Sequence, residues 1–320
     1  MIVFYIFLCS FVTSLLFITL FIKIKGRTKK ISCIGGIAIY ASFLIAILAA
    51  IFLKELGGLK ALGLIVSSGI IMVLGMIDDS NELRPSLKII GELLGIGVLV
   101  AFGFTTRIAF LPIWANILIT VFWVLFITNA LNLLDIMDGL ASGLIVIISL
   151  TFLSVAAINR DLFSTFILIA LIGAHLGFLK YNYPPAKVYM GDAGSLFSGF
   201  LLAAIAININ YAPMERPVAL FAPILALSLP IYDTIFLTIM RIRKKIPIFS
   251  KSNDHIALRL LTVGCSVRKS LWVMYFFGIF LAISALIVTF GSASAGLVMT
   301  IVVLLIFILV STRIAALKKE

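Results

Sequence analysis

Residues 114–158 read WANILITVFWVLFITNALNLLDIMDGLASGLIVIISLTFLSVAAI, two apolar runs joined by a short polar segment that carries Asp135 and Asp138. About 17 to 25 apolar residues form a helix that crosses the roughly 30 Å hydrocarbon layer of a bilayer. Each run meets that length. The stretch therefore predicts two transmembrane helices that meet at an acidic end.

The same kind of apolar run repeats along the whole chain. Hydrophobic residues make up 63% and charged residues 12% of the sequence, and the mean hydropathy is +1.26, outside the range of soluble globular domains. We predict an all-α polytopic membrane protein with about eleven transmembrane helices. The spans are predicted to begin near Met1, Cys33, Leu59, Leu87, Trp114, Gly139, Leu162, Gly194, Val218, Leu271 and Ser294.

The first apolar run and the cysteines argue against a cleaved signal peptide, a disulfide and a zinc site. The run from Met1 to Ile22 has no basic segment before it, no convincing small-residue cleavage site and basic residues after it, so it is interpreted as a retained span. Three scattered cysteines show neither CxxC nor Cys/His spacing. Neither a disulfide nor a zinc site is expected.

The basic residues predict the orientation. With eleven spans, 20 of the 25 lysine and arginine residues fall in loops on one side. The positive-inside rule makes that side cytoplasmic, so the N-terminus is predicted outside and the C-terminus inside. The net charge of +12 is then a topology signal, and no nucleic-acid partner is expected. We predict one transmembrane catalytic domain, residues 1–320, with active-site loops at 23–32, 78–86, 129–138, 180–193 and 241–269.

Acidic residues are rare, 13 in 320, yet five of them fall into three clusters at the ends of apolar runs. A charged side chain costs roughly 3 kcal/mol at the centre of a membrane helix, so retained acids usually lie in water, pair with cations or do chemistry. The predicted orientation places all three clusters on the cytoplasmic side, where they can form a single site. The clusters are Asp78 with Asp79, Asp135 with Asp138, and Asp192.

The first cluster lies in GMIDDSNELRPSLK, residues 75–88, where Lys88 follows Asp78 by ten residues. Paired carboxylates suit a Mg²⁺-bound phosphate substrate, because one can bind the metal while the other acts as a base. A charged loop is the simpler alternative.

The second cluster lies in NALNLLDIMDGL, residues 129–140, whose amides and carboxylates are spaced by three. In an α-helix such positions drift by about 60° per step, so only neighbours face together, whereas a 3₁₀ turn would align all of them. A polar helix end broken by Gly139 is the alternative interpretation. The spaced residues are Asn129, Asn132, Asp135 and Asp138.

The third cluster, in VYMGDAGSLFSG, residues 188–199, places Asp192 between glycines just before a span. Glycines let a ligand approach the backbone, and a helix N-terminus offers free N–H groups to phosphate. Asp192 could instead be only the N-cap of that span.

The largest loop contains RIRKKIPIFSKSNDHIALRLL, residues 241–261, in which His255 and Arg259 are four residues apart. On a helix face this pair could neutralise a diphosphate, although a plain basic surface is the alternative. His175 is predicted to be structural. Glu92 and Asp233 lie inside predicted spans, and Asp233 is expected to pair with a neighbouring helix.

Together the three motifs, in this order over residues 27–270, resemble the polyprenyl-phosphate N-acetylhexosamine-1-phosphate transferases. Eleven spans with an outside N-terminus resemble the branch that initiates O-antigen, common-antigen and teichoic-acid synthesis. The resemblance implies transfer of a sugar 1-phosphate, by default N-acetylglucosamine 1-phosphate, from a UDP-sugar to polyprenyl (undecaprenyl) phosphate with release of UMP. It also implies Mg²⁺, with Mn²⁺ as a substitute, a plasma (inner) membrane location with a cytoplasmic active site, and a homodimer.

Carried over residue by residue, the resemblance implies that Asp192 binds the metal and that Asp78 deprotonates or orients the lipid phosphate. Asp79 and Lys88 would support metal and phosphates, and Tyr189 would stack on uracil. The catalytic set would be Asp78, Asp79, Asp138 and His255, and the substrate-binding set Lys88, Asn132, Asp135, Tyr189 and Arg259.

Two positions depart from the family pattern. Ile136 replaces the usual glycine after Asp135, and of the family's histidine cluster only His255 remains. Two other functions stay open: a phospho-N-acetylmuramoyl-pentapeptide transferase and a lipid-linked substrate transporter or flippase. A transporter would place substrate groups near the bilayer midplane rather than at span ends. A CDP-alcohol phosphotransferase is not favoured, because the segment DIMDGLAS lacks the downstream glycine and the two further acids of that motif.

Overall fold

The computed structural model describes residues 1–25, 34–211, 217–247 and 252–316, and in these ranges it is all-helical, without a strand. The chain forms two compact units, Met1–Ile209 and Asn210–Glu320. The first unit contains α1 (Ile2–Lys25), α2 (Ile34–Phe52), α3 (Leu59–Ser80), α4 (Pro85–Ala101), α5 (Ile113–Leu134), α6 (Leu140–Ile158), α7 (Leu162–Asn182) and α8 (Gly191–Asn208). The second contains a 3₁₀ turn (Pro217–Phe221), α9 (Ala222–Ala226), α10 (Ser228–Arg243), α11 (Ile256–Thr262), α12 (Val267–Phe290) and α13 (Ala293–Ala316).

Multi-pass membrane architecture is confirmed, with a smaller count of full spans than predicted. Nine of the described helices are long and apolar enough to cross a bilayer. The fourth predicted span is α4, whose 17 residues rise about 25 Å, short of a full crossing without help from its flanks. The ninth predicted span is broken into two helical segments, Pro217–Ala226 and Ser228–Arg243, whose axes differ by 70°.

Proline explains the break in the ninth span. In a continuous helix the residue at position 230 would donate its N–H to the carbonyl of Ala226, the last residue of α9. Pro230 has no N–H, and its ring collides with that carbonyl. The chain therefore starts a new helix at Ser228.

Glycines bring three helices of the first unit into backbone contact at the start of α8. A Cβ atom added to Gly75 of α3 would lie 2.5 Å from the Cα atom of Ala193, and one added to Gly36 of α2 would collide with the backbone of Gly194. Small residues permit this kind of close helix packing in membranes. The polar end of α3 is thereby held against the first turn of α8.

The second unit packs α10 against α13 through Tyr232. The Tyr232 and Phe307 rings stack at a centroid distance of 4.2 Å. The Tyr232 hydroxyl donates to the Phe307 carbonyl at 3.2 Å and lies 2.7 Å from the Ser311 hydroxyl. This hydrogen bonding lets a phenol remain buried in an apolar setting.

Several predicted loop residues are helical instead. Asp78 and Asp79 occupy the last turn of α3, and Asn129 and Asn132 lie within α5, which stays α-helical to Leu134. The 3₁₀ alternative does not hold for Asn129 and Asn132, which are α-helical, whereas the Asp135 N–H at the end of α5 bonds the Asn132 carbonyl three residues back at 3.2 Å. Residues 26–32 and 248–251 of two predicted active-site loops lie outside the described residues. The single catalytic domain and the orientation of the termini stay predictions.

Candidate active site

Four helices of the first unit bring polar side chains together around Lys88. Its ammonium group donates to Asp78 Oδ2 at 2.8 Å, to Asp192 Oδ2 at 2.9 Å and to Asn132 Oδ1 at 3.3 Å. These residues come from α3, α8 and α5, while Lys88 lies one turn into α4. The three motifs thus converge, as predicted, into one cluster.

The turn between α3 and α4 fixes the first carboxylate. Asp78 Oδ1 accepts a hydrogen bond from the Leu83 backbone N–H at 2.7 Å, which leaves Oδ2 for Lys88. The next helix begins at Pro85, whose missing N–H costs nothing at the first helical position. A short polar turn therefore sets the distance between the acid and the lysine.

Asp79 has a different function from Asp78, since it caps another helix. Its Oδ1 and Oδ2 accept the backbone N–H groups of Asp192 and Ala193 at 2.8 and 3.1 Å. The N-cap residue of α8, Met190, provides no side-chain cap. A carboxylate at a helix N-terminus satisfies free donors and is stabilised by the helix dipole. Asp79 therefore anchors the turn that carries Asp192.

Because Asp79 supplies the cap, the alternative interpretation of Asp192 as the N-cap is wrong. Asp192 lies inside the first turn of α8, and its side chain remains 35% exposed. Asn132 donates to Asp192 Oδ1 at 2.8 Å and to the Ser195 hydroxyl at 2.9 Å. One oxygen of Asp192 thus faces Lys88 and the other is held by Asn132.

The two asparagines of the second motif face different partners. Asn129 donates to Glu92 Oε2 at 2.6 Å, whereas Asn132 contacts the Lys88 cluster. Glu92 is fully buried and lies one turn after Lys88 on α4. The 60° drift per three residues of an α-helix accounts for this separation.

The segment after α5 is held by the loop before α8. Asp138 Oδ2 accepts the Ala186 N–H at 2.9 Å, and the Gly139 N–H donates to Asn182 Oδ1 at the same distance. The left-handed residue of this turn is Gly139, with φ of 76°. Ile136 therefore meets no such backbone demand at its own position.

Asp135 lies among other acids. Burial, followed by the charges of Asp192, Asp79 and Asp138, raises the pKa of Asp135 to about 7. Its side chain is half-buried. Asp135 is therefore only partly ionised near neutral pH, which limits the negative charge that it adds to the site.

Tyr189 lies two residues before the first residue of α8, Gly191. The residue is 43% exposed, and its backbone carbonyl accepts the Gly35 N–H at 3.0 Å. The backbone is fixed while the ring remains accessible, which suits the predicted stacking on a base.

The other predicted residues lie in the second unit, where the structure places His255 in a buried pair. His255 Nδ1 is 2.7 Å from Asp233 Oδ2, and the Ile256 N–H donates to Asp233 Oδ1 at 2.8 Å. The interpretation of His255 as plain surface is wrong, because the residue is only 3% exposed.

Arg259 is paired as well. Its Nη2 donates to Asp254 Oδ1 at 2.9 Å, and its guanidinium lies 5.4 Å from the centroid of the Phe236 ring. Lys244 donates to both oxygens of Asp254, at 2.7 and 2.6 Å. Burial opposes ionisation, but the hydrogen bonds from Lys244, Ser252 and Arg259 outweigh it and lower the pKa of Asp254.

The Lys88 cluster fits a hard divalent cation such as Mg²⁺ if water and substrate phosphates provide the remaining ligands. Within the described ranges no three acidic, histidine or cysteine side chains are grouped so as to hold a metal by themselves. However, two carboxylate oxygens and one amide oxygen already surround a cation, the Lys88 ammonium. Mg²⁺ is usually bound by one or two carboxylates, with waters and substrate phosphates completing its shell. The donor set fits that mode.

Three partners were missed from the sequence alone. Ser195 bonds Asn132, Glu92 bonds Asn129, and Asn182 holds the Gly139 turn. Ser195 and Glu92 lie one turn from Asp192 and Lys88, so helical spacing was an available signal. Asn182 is distant in the sequence, and no local pattern indicates it.

The fold and this site define a multi-pass membrane protein with a carboxylate–lysine cluster at the ends of its helices. Residues 61–210 match the profile of glycosyl transferase family 4. The chain is 34% identical to the probable undecaprenyl-phosphate N-acetylglucosaminyl 1-phosphate transferase of Bacillus subtilis, over 92% of this chain and 84% of that protein.

Two further relatives come from other bacteria. The decaprenyl-phosphate N-acetylglucosaminephosphotransferase of Mycolicibacterium smegmatis is 31% identical, over 81% of this chain and 70% of the relative. The phospho-N-acetylmuramoyl-pentapeptide-transferase of Streptococcus uberis is 38% identical, but over 54% of this chain and 56% of the relative. The chain therefore belongs to glycosyl transferase family 4.

Proposed function

We propose that this protein transfers N-acetylglucosamine 1-phosphate from UDP-N-acetylglucosamine to polyprenyl (undecaprenyl) phosphate and releases UMP. The observation that carries the proposal is the convergence of Asp78, Asp192 and Asn132 on Lys88 at the ends of four helices. The names and coverage of the relatives from Bacillus subtilis and Mycolicibacterium smegmatis support the substrate pair.

The reaction exchanges one phosphoanhydride for another. An oxygen of the polyprenyl phosphate attacks the phosphorus atom attached to the sugar, and the bond from that phosphorus to the UMP oxygen breaks. The products are a polyprenyl diphosphate sugar and UMP. Phosphoryl transfer asks the protein mainly for alignment and for stabilisation of the charge on the phosphate oxygens.

Asp78 is assigned to the lipid phosphate, as a base or an orienting group, with Lys88 beside it as the cation that faces the phosphates. Their side chains are 7% and 16% exposed, so water is largely excluded between them. Electrostatic interactions strengthen when water is excluded. Asp79 acts indirectly, by holding the turn of Asp192.

Asp192 would hold Mg²⁺, or Mn²⁺ in its place, and the ion when bound supplies charge neutralisation for the diphosphate. The site supports this assignment because two carboxylates, Asp78 and Asp192, face one ammonium, that of Lys88. An anionic substrate would be repelled by this excess of negative charge without a further cation.

The nucleotide is assigned to the segments before α6 and α8. Tyr189 would stack on uracil, and the turn of Asp135 and Asp138 would hold the ribose and diphosphate. His255 and Arg259 are proposed, as the resemblance implies, to act on the diphosphate. The cluster lies at span ends, which favours an enzyme over a transporter with a midplane site.

The basic loops support a plasma (inner) membrane protein with its site at the cytoplasmic face and an outside N-terminus. The similarity to the Bacillus subtilis relative supports a role in initiating cell-envelope polysaccharides. A homodimer is part of the same proposal.

A donor screen tests the function. Purified protein is mixed with undecaprenyl phosphate, Mg²⁺ and one of several UDP-N-acetylhexosamines or UDP-N-acetylmuramoyl-pentapeptide. We expect UMP and a lipid-extractable sugar in equal amounts from UDP-N-acetylglucosamine. Turnover of the pentapeptide donor alone would assign the protein to the other branch. Sugar uptake into vesicles without UMP release would identify a transporter.

A further inference from the structure

Asp233 makes two hydrogen bonds that together determine how His255 is presented. One carboxylate oxygen faces His255 Nδ1 at 2.7 Å, and the other accepts the Ile256 N–H at 2.8 Å. The side chains of Asp233 and His255 are 1% and 4% exposed. The carboxylate therefore holds both the imidazole ring and the first residue of α11.

The contact with Asp233 determines which ring nitrogen of His255 carries the proton. An ionised carboxylate only accepts hydrogen bonds, so Nδ1 must be the ring nitrogen that carries the proton. The other ring nitrogen, Nε2, is then the one that exchanges a proton or bonds a ligand. Which nitrogen of a histidine carries the proton is normally set by the bond that the other one makes.

We propose that Asp233 is a positioning residue that fixes the Nδ1–H form of His255 and leaves Nε2 as the ring nitrogen that exchanges a proton in the transfer reaction. The functional half of this inference rests on the proposed transferase reaction. The half that concerns the proton on the ring rests only on the contacts within the second unit. The two halves are therefore tested by different measurements.

An isosteric substitution reverses the arrangement. In Asp233→Asn, the amide oxygen must stay with the Ile256 N–H, because the amide nitrogen would place two donors face to face at a buried position. The amide nitrogen then donates to His255 Nδ1. The ring proton moves to Nε2, so Nε2 changes from acceptor to donor.

The proton position is measurable because the chain has only two histidines. We would label the ring nitrogens of histidine with ¹⁵N and record spectra of the detergent-solubilised protein in alkaline buffer. A protonated ring nitrogen and a bare one give well separated signals. His255→Gln removes one set and thereby assigns the other to His175, which lies between Ser142 and Ser198.

We expect a protonated Nδ1 and a bare Nε2 for His255 in the wild type, and the reverse in Asp233→Asn. An Nε2–H form in the wild type would overturn the proposal even if the variant failed to fold. An unchanged Nδ1–H form in a folded variant, with the His175 signals intact, would overturn it as well.

Kinetics tests the functional half. Asp233→Asn is expected to lower kcat about 10²-fold, the size of a lost acid–base contribution, with KM changed less than threefold. His255→Gln with Asp233→Asn should be no slower than His255→Gln alone, because the two residues act as a unit. Multiplying losses, or wild-type kcat with a reversed ring, would refute the positioning role. A wild type without transfer would refute the proposed function and leave the ¹⁵N result standing.

Discussion

In the first unit one cation lies between two carboxylates, and in the second one carboxylate lies between two cations. Lys88 bonds Asp78 and Asp192, whereas Asp254 bonds Lys244 and Arg259. The Asp192 side chain is 35% exposed, while those of Asp254 and Arg259 are 3% and 5% exposed. Uncompensated, accessible negative charge attracts a further cation, and compensated, buried charge stabilises a local structure.

The largest expected effect of a single substitution falls on the first cluster. Asp192→Asn keeps the size of the side chain but removes its charge, and we expect transferase activity to fall about 10³-fold. The thermal midpoint should stay within a few degrees of the wild type. Release of UMP and unfolding in detergent are the two measurements.

Asp161→Asn is the matched control for that substitution. Asp161 also lies at the start of a helix, where it accepts the Ser164 N–H at 3.0 Å, and an amide oxygen can accept the same bond. Its activity should be close to the wild-type value. Equal losses in the two variants would show that Asp192 has no special part in the reaction.

The second cluster should respond in stability instead. Asp254→Asn removes the carboxylate that pairs with the buried Arg259, and breaking a buried pair of this kind costs about 3 kcal/mol. Because the folded-state pKa of Asp254 is lowered, this stabilisation is fully present above the ordinary carboxyl pKa. The difference from the wild type should shrink as the pH falls toward the folded-state pKa. Unfolding midpoints at neutral and acidic pH test both points.

The sequence predicted the helices well because apolar length is a local property. It also predicted that Asp78 and Asp192 share a face, since the sidedness of loops follows from counting basic residues. The pairing of particular oxygens was beyond it. Asp79 caps α8 only because Gly75 lets α3 touch Ala193, and no pattern within α3 indicates that contact.

The break in the ninth predicted span has a local sequence signal, although one continuous span was predicted from Val218. Pro230 lies four residues after Ala226, which is the spacing at which a proline breaks a helix. Partners that are far apart are harder. Asp233 and His255 are 22 residues apart on two helices, so only the fold brings them together.

A third prediction concerns the shared cation of the first cluster. Lys88→Gln removes the charge between Asp78 and Asp192, and we expect activity to fall about 10²-fold because the carboxylates then repel each other and the phosphates. Lys88→Arg should recover part of the loss, since it keeps the charge but not the compact geometry. Lys54→Gln, at an exposed position after α2, is the control. Activity of Lys88→Gln equal to that of the control would contradict the assignment.

The smallest effect is expected from the residue that supports the site without facing the substrate. Asp79→Ala leaves the N–H groups of Asp192 and Ala193 without their acceptors, which should lower stability by about 1 kcal/mol, as for a lost helix cap. Asp79→Asn keeps one acceptor oxygen, so its stability should fall between those of the wild type and Asp79→Ala. Glu55→Ala, at an exposed position, is the acidic control. Activity should follow stability in this series, because Asp79 acts through the position of Asp192. If Asp79→Asn instead lost as much activity as Asp192→Asn at unchanged stability, Asp79 would take part in the chemistry directly.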